Sequence, residues 1–396
     1  TPYPTLFPYT TLFRSFLELF FSVSLQAAVV VTAAHWIGRL VDDERTQCQL
    51  WTACFSLLLL LVANALVFPH VRLFQPMRPL TKPLAAGIVS LELQAGRVLF
   101  WGWLAGCVVS LGLFVYRSIM AEKFLRTCRP VDPDVISLSA VISPGPERDA
   151  FQVDRQVVQL VSSPAVTSAF CWQFHKPYIV IPDSLLTYQH DQLRFILRHE
   201  LAHLKTGHPM QVFLQRTVEI VFWFHPMVWW SSRESALARE FVCDDMAVET
   251  RSDIVAYLKT LLTIAEQNVL TDDPQVGSLA FVRNPNLMAE RARRLVGKAQ
   301  QPSSTDGDRP GTRFLKRSAP ASLIVMTLLT SLLWLPVNVL ASPAATWSPW
   351  PTWTAHVLHD FGLPARDFEV YDAQYTLHEV MQDQAIPTHA PSSPAK

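Results

Sequence analysis

Four segments of the sequence are long and apolar, and they restrict the fold more than any other feature. They occupy residues 16–37, 50–68, 98–116 and 321–341. A helix needs about 20 apolar residues to cross the hydrocarbon core of a bilayer. Only 17% of the residues are charged, whereas soluble proteins average about 25%. We therefore predict an α-helical integral membrane protein with about four transmembrane helices, and we expect no direct binding of nucleic acid.

The positions of Lys and Arg predict the orientation of these helices. Cytoplasmic flanks of membrane helices are enriched in Lys and Arg. Basic residues follow the third segment and precede the fourth, whereas the next one after the fourth is Arg366. This asymmetry places residues 121–320 in the cytoplasm. The connection between the second and third segments disagrees, because it should be external yet carries Arg72, Arg78, Lys82 and Arg97. We give more weight to the clearer asymmetry at the fourth segment.

The sequence divides into five predicted parts. Residues 1–15 lack an initiator Met and resemble the translation of a common sequencing adapter, so we expect a non-native leader. A membrane region with three helices is predicted at residues 16–120, and a cytoplasmic domain at residues 121–320. A fourth transmembrane helix is predicted at residues 321–341, and an external tail at residues 342–396. The cytoplasmic domain is predicted to be α+β, because strand-like pieces precede mainly helical sequence. These pieces lie at residues 135–141, 157–161 and 178–181.

An H-E-x-x-H motif marks the candidate catalytic site. His199 and His203 lie four residues apart in an amphipathic helical pattern, so both imidazoles project from one helix face. Two neutral imidazoles at this spacing can bind one Zn²⁺, and Glu200 can reach the water that zinc activates. A carboxylate can take a proton from that water and pass it to a leaving amine. The alternative for these residues alone is a solvent-facing helix surface.

A catalytic zinc site needs a third protein ligand and an open fourth position. Glu240 and Asp244 lie four residues apart in a second helical pattern and share a face. We predict Glu240 as the third ligand and Asp244 as the hydrogen-bond partner that orients a ligand histidine. Cys243 is an alternative thiolate ligand, but we favour a packing role for its side chain.

The combination of these motifs resembles the BlaR/MecR-type peptidases, which are integral-membrane zinc peptidases with a gluzincin site. The resemblance covers roughly residues 16–341. Its motifs, in order after three predicted spans, are S-P at 163–164, H-K-P-Y-I-V-I-P at 175–182, H-E-L-A-H at 199–203, W-F-H-P at 223–226 and E-F-V-C-D at 240–244. It implies an α+β gluzincin-type zinc metallopeptidase domain inserted between spans three and four. It also implies that His199, His203 and Glu240 are zinc ligands and that Glu200 is the general base. Asp244 is implied to orient a ligand histidine.

The resemblance further implies a multi-pass protein of the bacterial inner membrane with a cytoplasmic zinc domain. Such a protein cuts itself or a cytoplasmic transcriptional repressor in response to an external signal. The sequence does not distinguish a monomer from a homodimer. Its best-known members carry a C-terminal penicillin-binding sensor domain, for which the tail of this sequence is too short. The family often has an acidic residue where this chain has His208, which we interpret as a solvated loop histidine rather than a ligand.

Two other functions are compatible with the motifs. A quality-control membrane peptidase of the HtpX or CAAX-protease type would use the same chemistry, although the order of spans and the Cys243-Asp244 pair favour the first family. A non-catalytic signal transducer with a structural zinc site is the alternative from another class. Glu200 argues against it, because a structural site does not need that carboxylate.

Two groups of charged residues outside the motifs are predicted to be solvated. The first is Arg216 and Glu219, in the apolar stretch between the two motif helices. The second is the basic run that includes Arg291, Arg293 and Lys298, for which contact with anionic lipid is the alternative.

Overall fold

A computed structural model describes residues 8–41, 43–68, 70, 82–131, 152–153, 156–270, 285–300, 310–332, 334–335, 361–362, 370–371 and 375–376. The described helices are α1 (Pro8–Arg39), α2 (Glu44–Val67), α3 (Lys82–Thr127), α4 (His190–Lys205), α5 (His208–Val221), α6 (Pro226–Ala247), α7 (Arg251–Leu270), α8 (Pro285–Gln300) and α9 (Pro310–Ser331). The described strands are β1 (Arg129–Pro130), β2 (Gln152–Val153), β3 (Gln156–Val157), β4 (Gln159–Ser163), β5 (Phe170–Gln173), β6 (Pro177–Pro182), β7 (Val370–Tyr371) and β8 (Tyr375–Thr376).

Three of the described helices are long and apolar enough to cross a membrane. They are Phe16–Arg39 within α1, Glu44–Val67 (α2) and Gly87–Thr127 within α3. The N-cap of α2 is Asp43, whose carboxylate accepts a hydrogen bond from the backbone N–H of Thr46 at 2.9 Å. No residue in the apolar window of α3 is fully buried within the protein, as expected for a helix with one side facing lipid. These helices indicate a membrane protein.

The fourth predicted span, residues 321–341, is only partly covered by described residues. The apolar part of α9 there, Ser318–Ser331, is shorter than the other three. It packs on the first two helices, and Leu323 belongs to the same buried cluster as their side chains. Residues 336–341 lie outside the described part, as does most of the predicted tail. The predicted count of four spans is therefore not confirmed.

A four-stranded sheet with the order β1-β4-β6-β5 lies beside the helices. Strand β6 is central and pairs parallel with β4 and antiparallel with β5. Its residues Ile179, Val180 and Ile181 are fully buried, which explains the continuous apolar run. The predicted strand at 178–181 lies within β6, and the one at 157–161 is divided between β3 and β4. The one at 135–141 lies outside the described residues.

Helix α4 packs on this sheet through the apolar face that the sequence predicts. Its residues Leu193, Ile196, Leu197, Leu201 and Leu204 share one buried cluster with Ile179 and Ile181. Gln189 is the N-cap of α4, and Asp191 lies in its first turn. A carboxylate there interacts favourably with the helix dipole.

The helices that follow α4 pack directly against the membrane helices. The apolar stretch near residues 210–230 forms α5, a turn and the start of α6, and not a further crossing. Its residues Val218, Phe222 and Val228 belong to one buried cluster with side chains of α1 and α2. The indole N–H of Trp103 in α3 donates to the carbonyl of Val221 at 2.9 Å. The sequence-predicted cytoplasmic domain and membrane region thus share a core.

The predicted solvation of Glu219 is wrong. Its side chain is buried, and it accepts hydrogen bonds from Gln215 at 2.8 Å and from Arg216. The buried guanidinium of Arg239 donates to Gln215 and to Ser235, both at 2.8 Å. Buried polar groups of this kind are tolerated because each has a hydrogen-bond partner.

Candidate metal centre

The two motif helices, α4 and α6, pack side by side and bring three ligand-type side chains together. The Nε2 atoms of His199 and His203 are 3.2 Å apart. The carboxylate of Glu240 lies 3.4 Å from the first and 3.5 Å from the second. A tetrahedral Zn²⁺ with bonds of about 2.0–2.1 Å places its ligands about 3.3 Å apart. The residues therefore fit zinc, and two imidazoles with one carboxylate are a donor set of catalytic zinc sites.

The protonation of the two histidines differs in the metal-free protein. Burial lowers the pKa of His199, but Asp244 and Glu240 outweigh it and raise the value to about 9. Burial lowers the pKa of His203 to about 3. The raised pKa favours a doubly protonated His199 in the metal-free site, and its Nε2 proton has to leave before that nitrogen binds a metal ion. Metal binding is therefore coupled to proton release.

Asp244 lies behind His199, where the sequence predicts an orienting residue. Its Oδ1 atom is 3.2 Å from His199 Nδ1, and its side chain is fully buried. The hydroxyl of Tyr257 donates to Asp244 Oδ1 at 2.7 Å and lies 3.1 Å from His199 Nδ1. When Nε2 of His199 binds a metal, the ring proton is on Nδ1. His199 can then donate it to Asp244 Oδ1 or to the hydroxyl oxygen of Tyr257.

Arg291 of α8 joins two carboxylates of the centre. It donates to both oxygens of Asp244, at 3.0 Å from Nε and 2.5 Å from Nη2, and its Nη1 lies 3.0 Å from Glu240. Burial raises the pKa of Asp244, but Arg291 outweighs it and lowers the value to about 2. The prediction that Arg291 is solvated is wrong, because its side chain is 8% exposed.

The sequence analysis missed both Tyr257 and Arg291, although each has a signal in helical spacing. Tyr257 lies between the buried residues Ile254 and Leu261 at intervals of three and four. Arg291 lies between Met288 and Leu295 at the same intervals, and both pack in the same cluster. A polar side chain on the apolar face of a helix needs a buried partner, and here that partner is Asp244.

Replacing Tyr257 with Phe removes one hydroxyl from this network. We expect the unfolding free energy to fall by about 1–3 kcal/mol, because Asp244 Oδ1 and Arg291 Nη2 each lose a buried partner. The ring remains, so its contact with Phe195 is retained. Chemical denaturation of the purified protein measures the change. The control is Tyr116→Phe, at an exposed position, for which a change above about 0.5 kcal/mol is not expected.

Glu200 is buried beside the edge strand β5. The backbone of Cys171 in that strand is near its carboxyl group and lowers its pKa slightly. Burial is the main cause that raises the pKa of Glu200, to about 7, and the nearby Glu240 also raises it. A carboxyl group with such a pKa can both accept and release a proton near neutral pH, which is what a general acid–base catalyst requires.

His208 is not the solvated loop histidine that the sequence predicts. It is the first residue of α5 and is buried, because Gly207 has a left-handed φ of 69° that turns the chain back. Its Nδ1 atom lies 3.0 Å from Nδ1 of His203 and 3.4 Å from Sγ of Cys243. Burial and the neighbouring His203 lower the pKa of His208 to about 2. His203, His208 and Cys243 form a second group with metal-ligand atoms.

The comparison with known proteins agrees with the resemblance drawn from the motifs. Residues 19–292 match the family model described as BlaR1 peptidase M56. The Regulatory protein BlaR1 of Bacillus licheniformis is 26% identical over 149 residues, which are 37% of this chain and 24% of that relative. The chain thus spans about a quarter of the length of the curated relative it matches. Because the family match covers α4, α6 and Arg291 together, the protein belongs to the BlaR1 peptidase M56 family.

Proposed function

We propose that the protein is a membrane-embedded zinc-dependent endopeptidase of the gluzincin type. In this proposal His199, His203 and Glu240 hold one Zn²⁺, and Glu200 is the general base. The observation that carries it is the convergence of three ligand atoms within 3.2–3.5 Å of one another, beside a buried carboxyl group. Zn²⁺ bound there would polarise a peptide carbonyl and lower the pKa of water.

The protein side chains then divide the remaining tasks. Glu200 takes a proton from the attacking water and delivers it to the leaving amine nitrogen. Asp244 and Tyr257 hold the ring of His199 through its Nδ1 atom. Arg291 fixes Glu240 and Asp244 relative to each other. The ligands are thereby oriented before substrate binds.

The sheet supports a peptide substrate. β5 is the last strand in the sheet order, and no strand among the described residues pairs with its outer edge. The backbone of Cys171 in β5 is close enough to Glu200 to lower its pKa, so this strand lies beside the proposed catalytic carboxylate. An extended peptide can add to such an edge through main-chain hydrogen bonds. That position would bring a scissile carbonyl next to Glu200.

We further propose that this peptidase acts in signal transduction at the bacterial inner membrane. The substrate would be the protein itself or a cytoplasmic repressor, with four spans in the bilayer and the zinc domain in the cytoplasm. The support is the similarity to a regulatory protein, BlaR1 of Bacillus licheniformis, together with the apolar helices. Direct binding of nucleic acid is not part of the proposal, and either a monomer or a homodimer is compatible with it.

The test uses the full-length protein purified in detergent. Wild type is expected to hold about one zinc per chain and to cut itself or an unstructured protein, and a chelator should stop the cleavage until zinc is returned. His199→Ala should lose both zinc and cleavage, while the control His175→Ala, at an exposed position, keeps both. A wild type that binds zinc but cleaves nothing would favour the non-catalytic transducer instead.

A further inference from the structure

We infer that His208 is a positioning residue for the metal ligand His203, and that Cys48 of the membrane-spanning helix α2 holds His208 in place. This inference rests on the proposed zinc site. It assigns a role to a buried histidine that the proposed catalytic steps do not use. It also identifies a direct contact between a membrane helix and the metal centre.

The first step is the geometry of the two ring nitrogens of His203. Its Nε2 atom faces the metal position, 3.2 Å from His199 Nε2. Its Nδ1 atom faces away and lies 3.0 Å from Nδ1 of His208. A neutral imidazole that offers Nε2 to a metal carries its proton on Nδ1. His203 therefore donates to His208, and this hydrogen bond fixes the plane of the ligand ring.

The hydrogen bonds continue from His203 through His208 to Cys48 and Gln211. Since His208 accepts at Nδ1, it carries its own proton on Nε2, which lies 3.7 Å from Sγ of Cys48. The thiol of Cys48 donates in turn to Oε1 of Gln211 at 3.2 Å. Every group in the chain His203–His208–Cys48–Gln211 thus donates in one direction. This assignment leaves no conflict between neighbouring hydrogens.

The third step is burial. His208 is 2% exposed, Cys48 is 4% exposed and Cys243 is fully buried. These side chains therefore exclude bulk water from the contact between His203 Nδ1 and His208. Cys243 packs on the other side of His208, with Sγ 3.4 Å from its Nδ1. The ring is held between a thiol of α2 and a thiol of α6.

The same end of α2 has a second contact near the metal centre, through Arg294. Glu44, one turn before Cys48, accepts a hydrogen bond from Arg294 at 2.9 Å. Arg294 also donates to both oxygens of Asp245, at 2.8 and 2.7 Å, next to the orienting residue Asp244. A displacement of α2 along its axis would therefore change the contacts on both sides of the metal site.

The test compares zinc affinities by chelator competition, using the full-length protein in detergent. His208→Ala is expected to weaken zinc binding about 10- to 100-fold, as for loss of an outer partner of a ligand histidine. His208→Asn should recover most of the affinity, because its side-chain carbonyl can accept from His203 Nδ1. The control His190→Ala replaces an exposed histidine and should bind zinc like wild type.

These outcomes separate the inference from the proposed function. A wild type without zinc would refute the proposed function and remove the basis of the inference. A wild type with one zinc, and His208→Ala of equal affinity, would refute only the positioning role. Since His208→Ala creates a cavity, its fold is checked by circular dichroism. If it does not fold, His208→Asn must bind zinc more tightly than His208→Leu for the inference to stand.

A cobalt spectrum distinguishes positioning from direct ligation. If His203, His208 and Cys243 held the metal themselves, Co²⁺-substituted protein would show an intense near-ultraviolet thiolate charge-transfer band. We expect only weak visible bands, as nitrogen and oxygen ligands give, and no change in Cys243→Ser. A thiolate band that disappears in Cys243→Ser would overturn the positioning role.

The role of α2 is tested with two cysteines of the same helix. Cys48→Ala is expected to weaken zinc binding about two- to tenfold, the size that corresponds to one hydrogen bond. Cys54→Ala is the matched control, because Cys54 is also buried in α2 but packs in the apolar cluster. Equal zinc affinities of the two variants would refute the contact between α2 and the metal centre as a functional one.

Discussion

Glu200→Gln is expected to reduce peptide cleavage about 10²- to 10⁴-fold, the range in which a general base contributes, while zinc content stays unchanged. Gln has nearly the shape of Glu but cannot accept the proton of the attacking water. The three ligand atoms belong to other residues, so the metal site remains complete. The rate of cleavage and the zinc content of the same preparation are the two measurements.

The matched control is Glu249→Gln, whose side chain is 62% exposed and pairs with Arg198 of α4. It should cleave at the wild-type rate, because an exposed ion pair contributes little. Cleavage by Glu200→Gln at the rate of Glu249→Gln would exclude Glu200 as the base. Loss of zinc from Glu200→Gln would instead mean that this carboxylate holds the site together.

Arg291→Met should produce the largest loss of stability, about 3–5 kcal/mol, because it leaves a buried charge without its partner. Asp244 is fully buried and, among the described residues, would keep Tyr257 and His199 as polar partners. Met retains much of the aliphatic stem of Arg, so the effect isolates the lost guanidinium. Chemical unfolding of the metal-free protein measures it without a contribution from zinc.

Arg293→Met, two residues further along α8, provides the comparison. The side chain of Arg293 is 75% exposed and pairs with Glu290 on the same helix. Such a surface pair contributes about 0.5 kcal/mol or less. Similar losses in both variants would mean that α8 tolerates neither change and that the contact with Asp244 has no special weight.

The proximity of the two motif histidines was predictable because it depends on local spacing. An interval of four residues within a helix places His199 beside His203, and the same interval places Glu240 near Asp244. The partners of these residues depend instead on how distant helices pack. Arg291 is 47 residues from Asp244, and no periodicity within one helix gives that contact.

The wrong assignment of His208 has a local cause. Residues after a C-terminal glycine usually form a loop, and that expectation led to a solvated histidine. Here the next helix begins directly after Gly207, so His208 folds back onto the helix that carries His203. The left-handed φ of Gly207 sets the direction in which α5 leaves α4.

The membrane segments show what hydropathy can and cannot locate. The apolar residues 98–116 lie inside a helix that extends from Lys82 to Thr127. Hydropathy identifies the part that fits the bilayer. It does not identify the ends of the helix, because polar residues can continue the same backbone hydrogen bonds.

Helix α6 contacts both the candidate metal centre and the membrane helices, and this limits where the chain can be cut. One face of α6 carries Glu240 and Asp244, while Val228, Ala238 and Val242 pack against α1 and α2. A fragment cut after α3 would expose that apolar face to water, where such patches promote aggregation. The described helices α5 and α6 consequently share their core with the membrane helices α1 and α2. Because α6 packs on α1 and α2, a fragment that retains α6 has to retain these two helices as well to keep its apolar face covered.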